Sequence, residues 1–267
     1  SNNTDLASPK QVFDAEEIEV DKLDMFHTVI QGPPGVGKTE LGKIISKIYS
    51  SLGITKNNKF KIVNRQNLVG EYLGHTAIKT QNVIDSCLGG VLFIDEAYSL
   101  GSGDSKKDSY SKECIDTINQ NLSEKKGKFI CIIAGYEEEL EKDFFSVNPG
   151  LKRRFSFKYT INKYSPEELT LILLSKIKKI GWILDVGIEK WLLESKFLND
   201  KVSQFPNFGG DIETWLLNIK IEHSKRVFGL DYNLHKIINK QDIVKGYERY
   251  LEHRNIKMEN NVGQMYL

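Results

Sequence analysis

The chain has 267 residues, of which 27% are charged and 40% hydrophobic, and its formal net charge at pH 7 is +1. A chain of this length can bury one large core or two modest ones without disulfides or metals. The near-neutral charge gives no electrostatic footprint for nucleic acid, although it leaves room for a local basic stripe. No apolar stretch reaches membrane-spanning length and no leader opens the sequence, so we expect a non-exported protein without membrane contact.

The three cysteines, Cys87, Cys114 and Cys131, are an odd number without C-x-x-C spacing. Such cysteines favour reduced thiols, mostly buried, in a cytoplasmic or similarly reducing compartment.

The most informative pattern lies near the N-terminal end. Residues 1–26 are polar and acidic and predict a solvated lead-in. Residues 27–31 predict a buried strand, and apolar residues recur at helical spacing from Thr39 until Gly53 ends the helix. Between them, residues 32–39 fit G-x-x-x-x-G-K-[ST]. The predicted phosphate-binding residues are Gly32, Pro33, Pro34, Gly35, Val36, Gly37, Lys38, Thr39 and Glu40.

Each part of this loop has a chemical reason. Glycines let the backbone N–H groups curl around phosphate oxygens, and the start of the following helix adds partial positive charge. Lys38 supplies a full positive charge, and the Thr39 hydroxyl is a ligand for Mg²⁺. The segment therefore predicts phosphate binding.

Four further apolar runs predict strands at 60–63, 91–94, 129–134 and 155–159, separated by helical patterns near 77–88, 109–123 and 137–146. Strands that alternate with helices indicate an α/β fold with a parallel sheet. We therefore expect a P-loop NTPase domain, in which a parallel five-stranded sheet is flanked by helices.

The sequence pattern of the second half of the chain predicts helices. Ser165 opens a capping box with Glu168, and Pro166 stands at the first helical position. Helical runs near 166–180, 186–195, 210–227 and 240–254 predict a small all-α lid. The predicted divisions are thus a lead-in at 1–26, an α/β nucleotide-binding domain at 27–163, a helical lid domain at 164–254 and a tail at 255–267.

The strand predicted at 91–94 ends in two carboxylates, Asp95 and Glu96. Successive residues at a strand end point in different directions, so Asp95 can hold the Mg²⁺ shell while Glu96 faces an attacking water. The alternative is a strand end with solvated acids. With a phosphate loop upstream, the pair favours nucleotide hydrolysis over binding alone.

Together, the loop at 32–39 and the Ile-Asp-Glu-Ala-Tyr run at 94–98 resemble the AAA+ ATPases. Residues 68–76, 89–98 and 134–136 with 148–151 are similar to the red-type rubisco activase and sporulation-protein-K branch. The resemblance covers roughly residues 28–160. It implies a homo-oligomeric ring, usually a hexamer, that hydrolyses ATP to ADP with Mg²⁺ and remodels or threads a protein client through a pore.

The resemblance also implies roles for two further residues. Arg154 matches the arginine finger that reaches the neighbouring subunit's γ-phosphate, with Arg153 as the adjacent candidate; the alternative is that both arginines solvate a loop or pair with acids. Tyr72, between Gly70 and Gly74, matches the aromatic residue of the first pore loop. A tyrosine packed at a strand–helix junction is the competing interpretation.

The sequence departs from the family pattern in two places. Where many members carry a polar residue that orients the lytic water, this chain has Tyr136, which either substitutes through its hydroxyl or only packs. The lid segment 209–213 lacks the arginine usual in this branch, and Asp211 is interpreted as a helix N-cap. The polar run 101–108 is either a second pore loop or a plain surface loop.

Two rival functions stay open at this level. One is an AAA+ ATPase that acts on nucleic acid, as clamp loaders or helicases do, and the near-neutral charge argues against it. The other is a scaffold in which nucleotide binding organises a ring and hydrolysis is incidental, and the missing lid arginine favours it.

Overall fold

The computed structural model describes residues 25–72, 74–101 and 108–264, with side chains described as far as Arg254. Residues 1–24 of the predicted lead-in and residues 102–107 of the 101–108 run fall outside these residues. Phe26, at the end of the lead-in, is described, and its ring packs against the rings of Tyr49 and Phe157.

A parallel sheet of five strands forms the α/β part. Its strands are β1 (Thr28–Gln31), β2 (Phe60–Val63), β3 (Val91–Ile94), β4 (Ile130–Gly135) and β5 (Phe157–Thr160), in the spatial order β2-β3-β4-β1-β5. In the register, Val63 lies opposite Ile94, and Ile94 lies opposite Ile133. Strands β1, β3 and β4 are buried along their whole length, as expected of central strands covered on both faces. The predicted five-stranded parallel sheet is confirmed.

Helices connect these strands and continue to the C-terminal end. In chain order they are α1 (Lys38–Ser51), α2 (Arg65–Leu68), α3 (His75–Asp85), α4 (Asp108–Glu124), α5 (Glu137–Glu139), α6 (Pro166–Lys179), α7 (Ile188–Glu194), α8 (Gly209–Val227) and α9 (Lys240–Gln264). The sequence did not predict α2, because four residues are too few to show a helical period. The helix predicted at 137–146 is irregular: α5 continues as a π-helical turn over Leu140–Phe144.

The C-terminal region is helical, as predicted, with one difference. Strands β6 (Ile183–Leu184) and β7 (Ile237–Ile238) form a short parallel pair, so the region is not purely α; two-residue strands leave no sequence period. The capping box at α6 is present, since the Glu168 N–H donates to Ser165 Oγ and the Ser165 N–H donates to Glu168 Oε2 at 2.7 Å. Helix α9 runs to Gln264, through most of the predicted tail.

The contacts divide the chain into two compact units, each with its own core. The described residues of the first unit lie within Ser1–Ile30, Gly42–Ala134 and Glu138–Tyr159; those of the second lie within Gln31–Leu41, Gly135–Glu137 and Thr160–Leu267. The first core is built on the central strands. Beside it, Gly42 of α1 leaves room for the buried Phe93 ring of β3. The second surrounds the fully buried Trp215. The domain boundary predicted at 163/164 stays a prediction.

Candidate functional site

The predicted phosphate loop follows β1 and leads into α1. Gly35 and Gly37 have positive φ values of 69° and 87°, which glycine adopts with little steric cost. Between them, the Val36 side chain is only 1% exposed and belongs to the core of the second unit. The loop is therefore anchored by one buried side chain, while the glycines give it the backbone geometry of an anion cradle.

The ammonium group of Lys38 is held by the loop itself. Its Nζ donates hydrogen bonds to the carbonyl oxygens of Gly32 and Pro33, both at 2.8 Å. The same Nζ lies 4.9 Å from the centroid of the Tyr136 ring, within the range of a cation–π interaction. Tyr136 thus presents its ring face to the lysine, and the choice between a hydroxyl role and packing stays a prediction.

Within the second unit, to which the loop belongs, residues far along the chain also contact the loop, and the sequence analysis missed them. The Tyr164 hydroxyl donates to the Val36 carbonyl at 2.5 Å, and the Gly209 N–H donates to the Gly35 carbonyl at 3.0 Å. A Cβ at Gly35 would lie 1.7 Å from the Asn207 carbonyl oxygen. The available signals were weak: Tyr164 precedes the capping box, and Asn207 lies just before the Gly209–Gly210 pair.

Thr39 and Glu40 lie in the first turn of α1. The Thr39 side chain is half-buried, and Glu40 is exposed. A hydroxyl and a carboxylate at a helix N-terminus are oxygen groups suited to a hard cation or to the positive end of the helix dipole.

The predicted carboxylate pair follows β3 in the first unit. Asp95 is half-buried, and its Oδ1 accepts a hydrogen bond from the Glu96 N–H at 3.1 Å. Glu96 is exposed and has φ 49° and ψ 47°, in the left-handed region. This conformation costs a non-glycine residue about 1 kcal/mol or more, and such strain concentrates at functional sites. The backbone thus distinguishes Glu96 from an ordinary solvated acid.

The two arginines before β5 differ in their surroundings. Arg154 is half-buried; its Nε donates to Ser123 Oγ at 2.8 Å and its Nη1 donates to the Gly150 carbonyl at 2.5 Å. Burial, assisted by the nearby charge of Arg153, lowers the pKa of Arg154. Arg153 is exposed. Within the first unit, Arg154 is therefore fixed in place by two hydrogen bonds.

Tyr72 is 66% exposed and packs edge-on against the His75 ring, with centroids 5.6 Å apart. Gly74 has a φ of 78° at the start of α3. Gly70 lies close to the backbone, because a Cβ there would come within 2.9 Å of the Thr76 nitrogen. The interpretation of Tyr72 as a packed junction residue does not agree with its exposure.

The predicted N-cap role of Asp211 is wrong. Helix α8 begins at Gly209 and its N-cap is Phe208, so Asp211 lies in the first turn. Its carboxylate instead accepts a hydrogen bond from the Asn207 N–H at 2.7 Å. It thereby fixes the segment that approaches Gly35.

Hydroxyl and carboxylate oxygens are present at the two positions that the sequence analysis predicted to bind a metal ion. Among the residues that the structure describes, no group of three or more His, Cys, Asp or Glu side chains could hold a metal ion. Thr39 and Asp95 offer the hydroxyl and carboxylate oxygens that Mg²⁺ prefers, and Mg²⁺ usually binds one or two protein groups plus phosphates and waters.

Comparisons with known proteins identify the family. The model of the ATPase family associated with various cellular activities (AAA) matches residues 28–163, just over half of the chain. A putative cfxQ-like protein of Acanthamoeba polyphaga mimivirus is 44% identical over 252 residues, which cover 94% of this chain and 61% of that protein. Stage V sporulation protein K of Bacillus subtilis is 38% identical over 180 residues, which cover 67% of this chain and 55% of that protein.

Among solved structures, the FIGL-1 AAA domain in complex with ADP matches with a TM-score of 0.59 and 17% identity, covering 85% of this chain and 73% of that chain. At this identity the likeness shows the fold alone. The chain spans 61% and 55% of the length of the two curated relatives above. No helix in the described ranges has the length and hydropathy needed to cross a membrane.

Proposed function

Because the chain belongs to the AAA ATPase family, we propose that it hydrolyses ATP to ADP and phosphate with Mg²⁺, in a homo-oligomeric ring that remodels or threads a protein client. The observation that carries this proposal is the arrangement around one parallel sheet. The phosphate loop follows β1, and the Asp95–Glu96 pair follows β3. In a parallel sheet these carboxyl ends share one edge, which is where ligands bind in open α/β folds.

The binding step depends on the loop. The glycine N–H groups and the start of α1 receive the phosphate oxygens, and Lys38 turns from the Gly32 and Pro33 carbonyls towards them. Thr39 and Asp95 would hold Mg²⁺, which neutralises charge on the β- and γ-phosphates when bound.

The chemical step belongs to Glu96. Its carboxylate accepts a proton from the attacking water as the water oxygen bonds to the γ-phosphorus; the bond from that phosphorus to the bridging oxygen breaks, and ADP leaves. The exposed position and left-handed backbone of Glu96 support this role. They set its carboxylate apart from that of Asp95, which is tied to the local backbone.

Tyr136 acts on Lys38 in this proposal. Its ring face stabilises the ammonium position beside the loop, so the aromatic ring rather than the hydroxyl is the working part.

Arg154 is proposed to act on the neighbouring subunit's nucleotide, where a guanidinium stabilises charge on the transferring phosphoryl oxygens. To do so it must exchange its bonds to Ser123 and Gly150 for phosphate. Arg153, which is exposed, is the adjacent candidate.

The proposed client is protein rather than nucleic acid. Tyr72 offers a large exposed aromatic face between two glycines, which suits contact with many polypeptide sequences. The test is stimulation of ATP turnover by an unfolded polypeptide and by DNA in parallel. We expect the polypeptide alone to stimulate, and Tyr72→Ala to abolish the stimulation, whereas Tyr232→Ala, which removes another exposed tyrosine, leaves it unchanged. Salt-sensitive stimulation by DNA alone would contradict the protein client.

The ATPase itself is tested by Glu96→Gln. We expect the variant to bind ATP normally by calorimetry and to lose at least about a hundredfold in turnover, because a general base contributes about that much or more. Glu189→Gln, a change in the first turn of α7, is the matched control and should keep full turnover. Retained hydrolysis in Glu96→Gln would remove this residue from its proposed role.

A further inference from the structure

The first unit contains a cavity of about 170 Å³ at the amino ends of its strands. The lining comes from the segment just before β1, the segment just before β4 and the turn that follows α1. The phosphate loop, in contrast, follows the carboxyl end of β1. The cavity therefore belongs to a different edge of the sheet from the one used in the proposed ATPase.

The size and walls of the cavity suit a small organic molecule. An engineered apolar cavity of about 150 Å³ accepts a single benzene ring. Here Phe26, Ile54 and Phe129 contribute apolar surface to the lining. A ligand whose apolar part is about the size of one aromatic ring would thus contact these apolar side chains.

One buried polar side chain in this lining, Thr55, has no hydrogen-bond partner for its Oγ1 among the described residues, and the residue is 6% exposed. His27 also lines the cavity and is 2% exposed, but its ring nitrogens lie near the backbone of Leu122 and of Cys131. The Nδ1 atom of His27 accepts a hydrogen bond from the Cys131 N–H at 3.0 Å, so in the neutral ring the proton resides on Nε2.

This unsatisfied hydroxyl needs an explanation. A buried polar atom without a partner destabilises the fold, and valine would fill the space of Thr55 without that cost. A hydroxyl both donates and accepts, and beside positively charged groups the partner that suits it best is an anionic oxygen that accepts its proton.

The mouth of the cavity is positively charged. Lys56 and Lys128 are exposed, Lys126 is half-buried, and all three line the cavity. The described lining contains no acidic residue. Within the described part of the chain, no ion pair or hydrogen bond engages the ammonium group of any of the three.

We propose that this cavity binds a small organic oxyanion, with an apolar body of about one ring, an acceptor that reaches the Thr55 hydroxyl, and an anionic group that meets the three lysines. Carboxylates and phosphate monoesters share this chemistry. Neither the site nor its ligand depends on the proposed ATPase.

The first experiment compares four probes by calorimetry on the full chain, with saturating ADP present to occupy the phosphate loop. The probes are para-hydroxybenzoate, para-hydroxybenzamide, benzoate and phenyl phosphate. We expect para-hydroxybenzoate to bind about tenfold more tightly than the neutral amide, because only the carboxylate carries a charge that the lysines attract. Tighter binding of phenyl phosphate than of benzoate would identify phosphate as the preferred oxyanion, and the reverse would identify carboxylate.

The second experiment uses variants with matched controls. Thr55→Val should weaken para-hydroxybenzoate about fivefold, the worth of one hydrogen bond, while Thr55→Ser should restore the affinity. The double change Lys126→Ala/Lys128→Ala should weaken it about tenfold, and Lys178→Ala/Lys179→Ala, which removes two exposed lysines of α6, should not. Equal affinity for acid and amide, unchanged affinity in Thr55→Val, or no saturable binding of any probe would overturn the proposal.

Discussion

Tyr136 places its aromatic face beside the ammonium group of Lys38, at a position where many family members carry a polar residue that orients the lytic water. The two possibilities differ in which part of the side chain matters. A water-orienting role needs the hydroxyl, whereas a cation–π contact needs only the ring.

Substitution separates these roles. We expect Tyr136→Phe to keep ATP affinity and turnover close to those of the unchanged protein, and Tyr136→Leu to weaken ATP affinity about tenfold, since a desolvated cation–π contact is worth about 1–2 kcal/mol. Calorimetric affinity and steady-state turnover are the measurements. An equal loss in both variants would show that the hydroxyl does the work.

The buried His27 leads to a second prediction, which concerns how the free energy of unfolding depends on pH. Burial lowers the pKa of its imidazole from the ordinary 6.5 to about 4. Between these two pH values the unfolded chain therefore binds a proton at His27, whereas the folded chain does not. The neutral ring thus favours folding above pH 6.5, and about 3 kcal/mol of this stabilisation is lost as the pH falls from 6.5 to 4. Urea unfolding across this range should show the loss.

The matched variant is His27→Gln, which keeps an acceptor for the Cys131 N–H and does not titrate. Its unfolding free energy should be lower at pH 7 and should depend less on pH between 6.5 and 4. Burial raises the pKa of the Asp242 carboxyl, but hydrogen bonds led by that from Arg226 outweigh burial and lower it overall. Its contribution is present above pH 3.8 and is lost below it, outside the His27 window. The same pH slope in His27→Gln would assign the effect to other groups.

Among the structural elements, the loop between β1 and α1 depends most on its glycines. At Gly35 the positive φ and the Asn207 carbonyl both exclude a side chain, since a Cβ would lie 1.7 Å from that oxygen. Gly53, which ends α1, has a similar φ of 72° but open space around it. Substituting each of the two glycines in turn therefore distinguishes the effect of backbone strain alone, at Gly53, from strain combined with steric exclusion, at Gly35.

We expect Gly53→Ala to cost about 1 kcal/mol in unfolding free energy, the strain of a left-handed non-glycine residue, and to leave ATP binding unchanged. Gly35→Ala pays the same strain and must also displace the Asn207 backbone, so it should abolish detectable ATP binding. Chemical denaturation and nucleotide titration of both variants are the measurements. Normal ATP binding by Gly35→Ala would show that the approach of Asn207 is not needed in the nucleotide-bound form.

For the whole molecule, the decisive question is whether one active site is shared by two chains. The Glu96→Gln variant lacks the proposed base but keeps Arg154. The Arg154→Ala variant lacks the arginine but keeps Glu96. If Arg154 acts on the neighbouring subunit, an equal mixture rebuilds complete sites at about a quarter of random interfaces.

We therefore expect each variant alone to be nearly inactive and the mixture to recover up to about a quarter of full turnover, rising with total protein concentration. Mixing Glu96→Gln with Arg153→Ala is the parallel arm for the adjacent candidate. No recovery in either mixture, or brisk turnover by a protein that stays monomeric with saturating ATP, would contradict a shared site.

Local chemistry explains how far the sequence alone could go. The apolar runs of the five strands, the phosphate loop and the acidic end of β3 are contiguous patterns, so the five-stranded sheet and the family were predictable from them. The short α2 and the β6–β7 pair were not, because two to four residues carry no measurable period.

What only the tertiary structure decided involves residues far apart in the chain. The approach of Asn207 to Gly35, the ring of Tyr136 beside Lys38, and the cavity between His27 and Thr55 each join segments that no local pattern links. Their positions follow from packing within each unit, and packing depends on the sum of many weak contacts rather than on any one stretch of sequence. The sequence by itself thus determined the family and the phosphate loop, whereas the fold decided which side chains meet there.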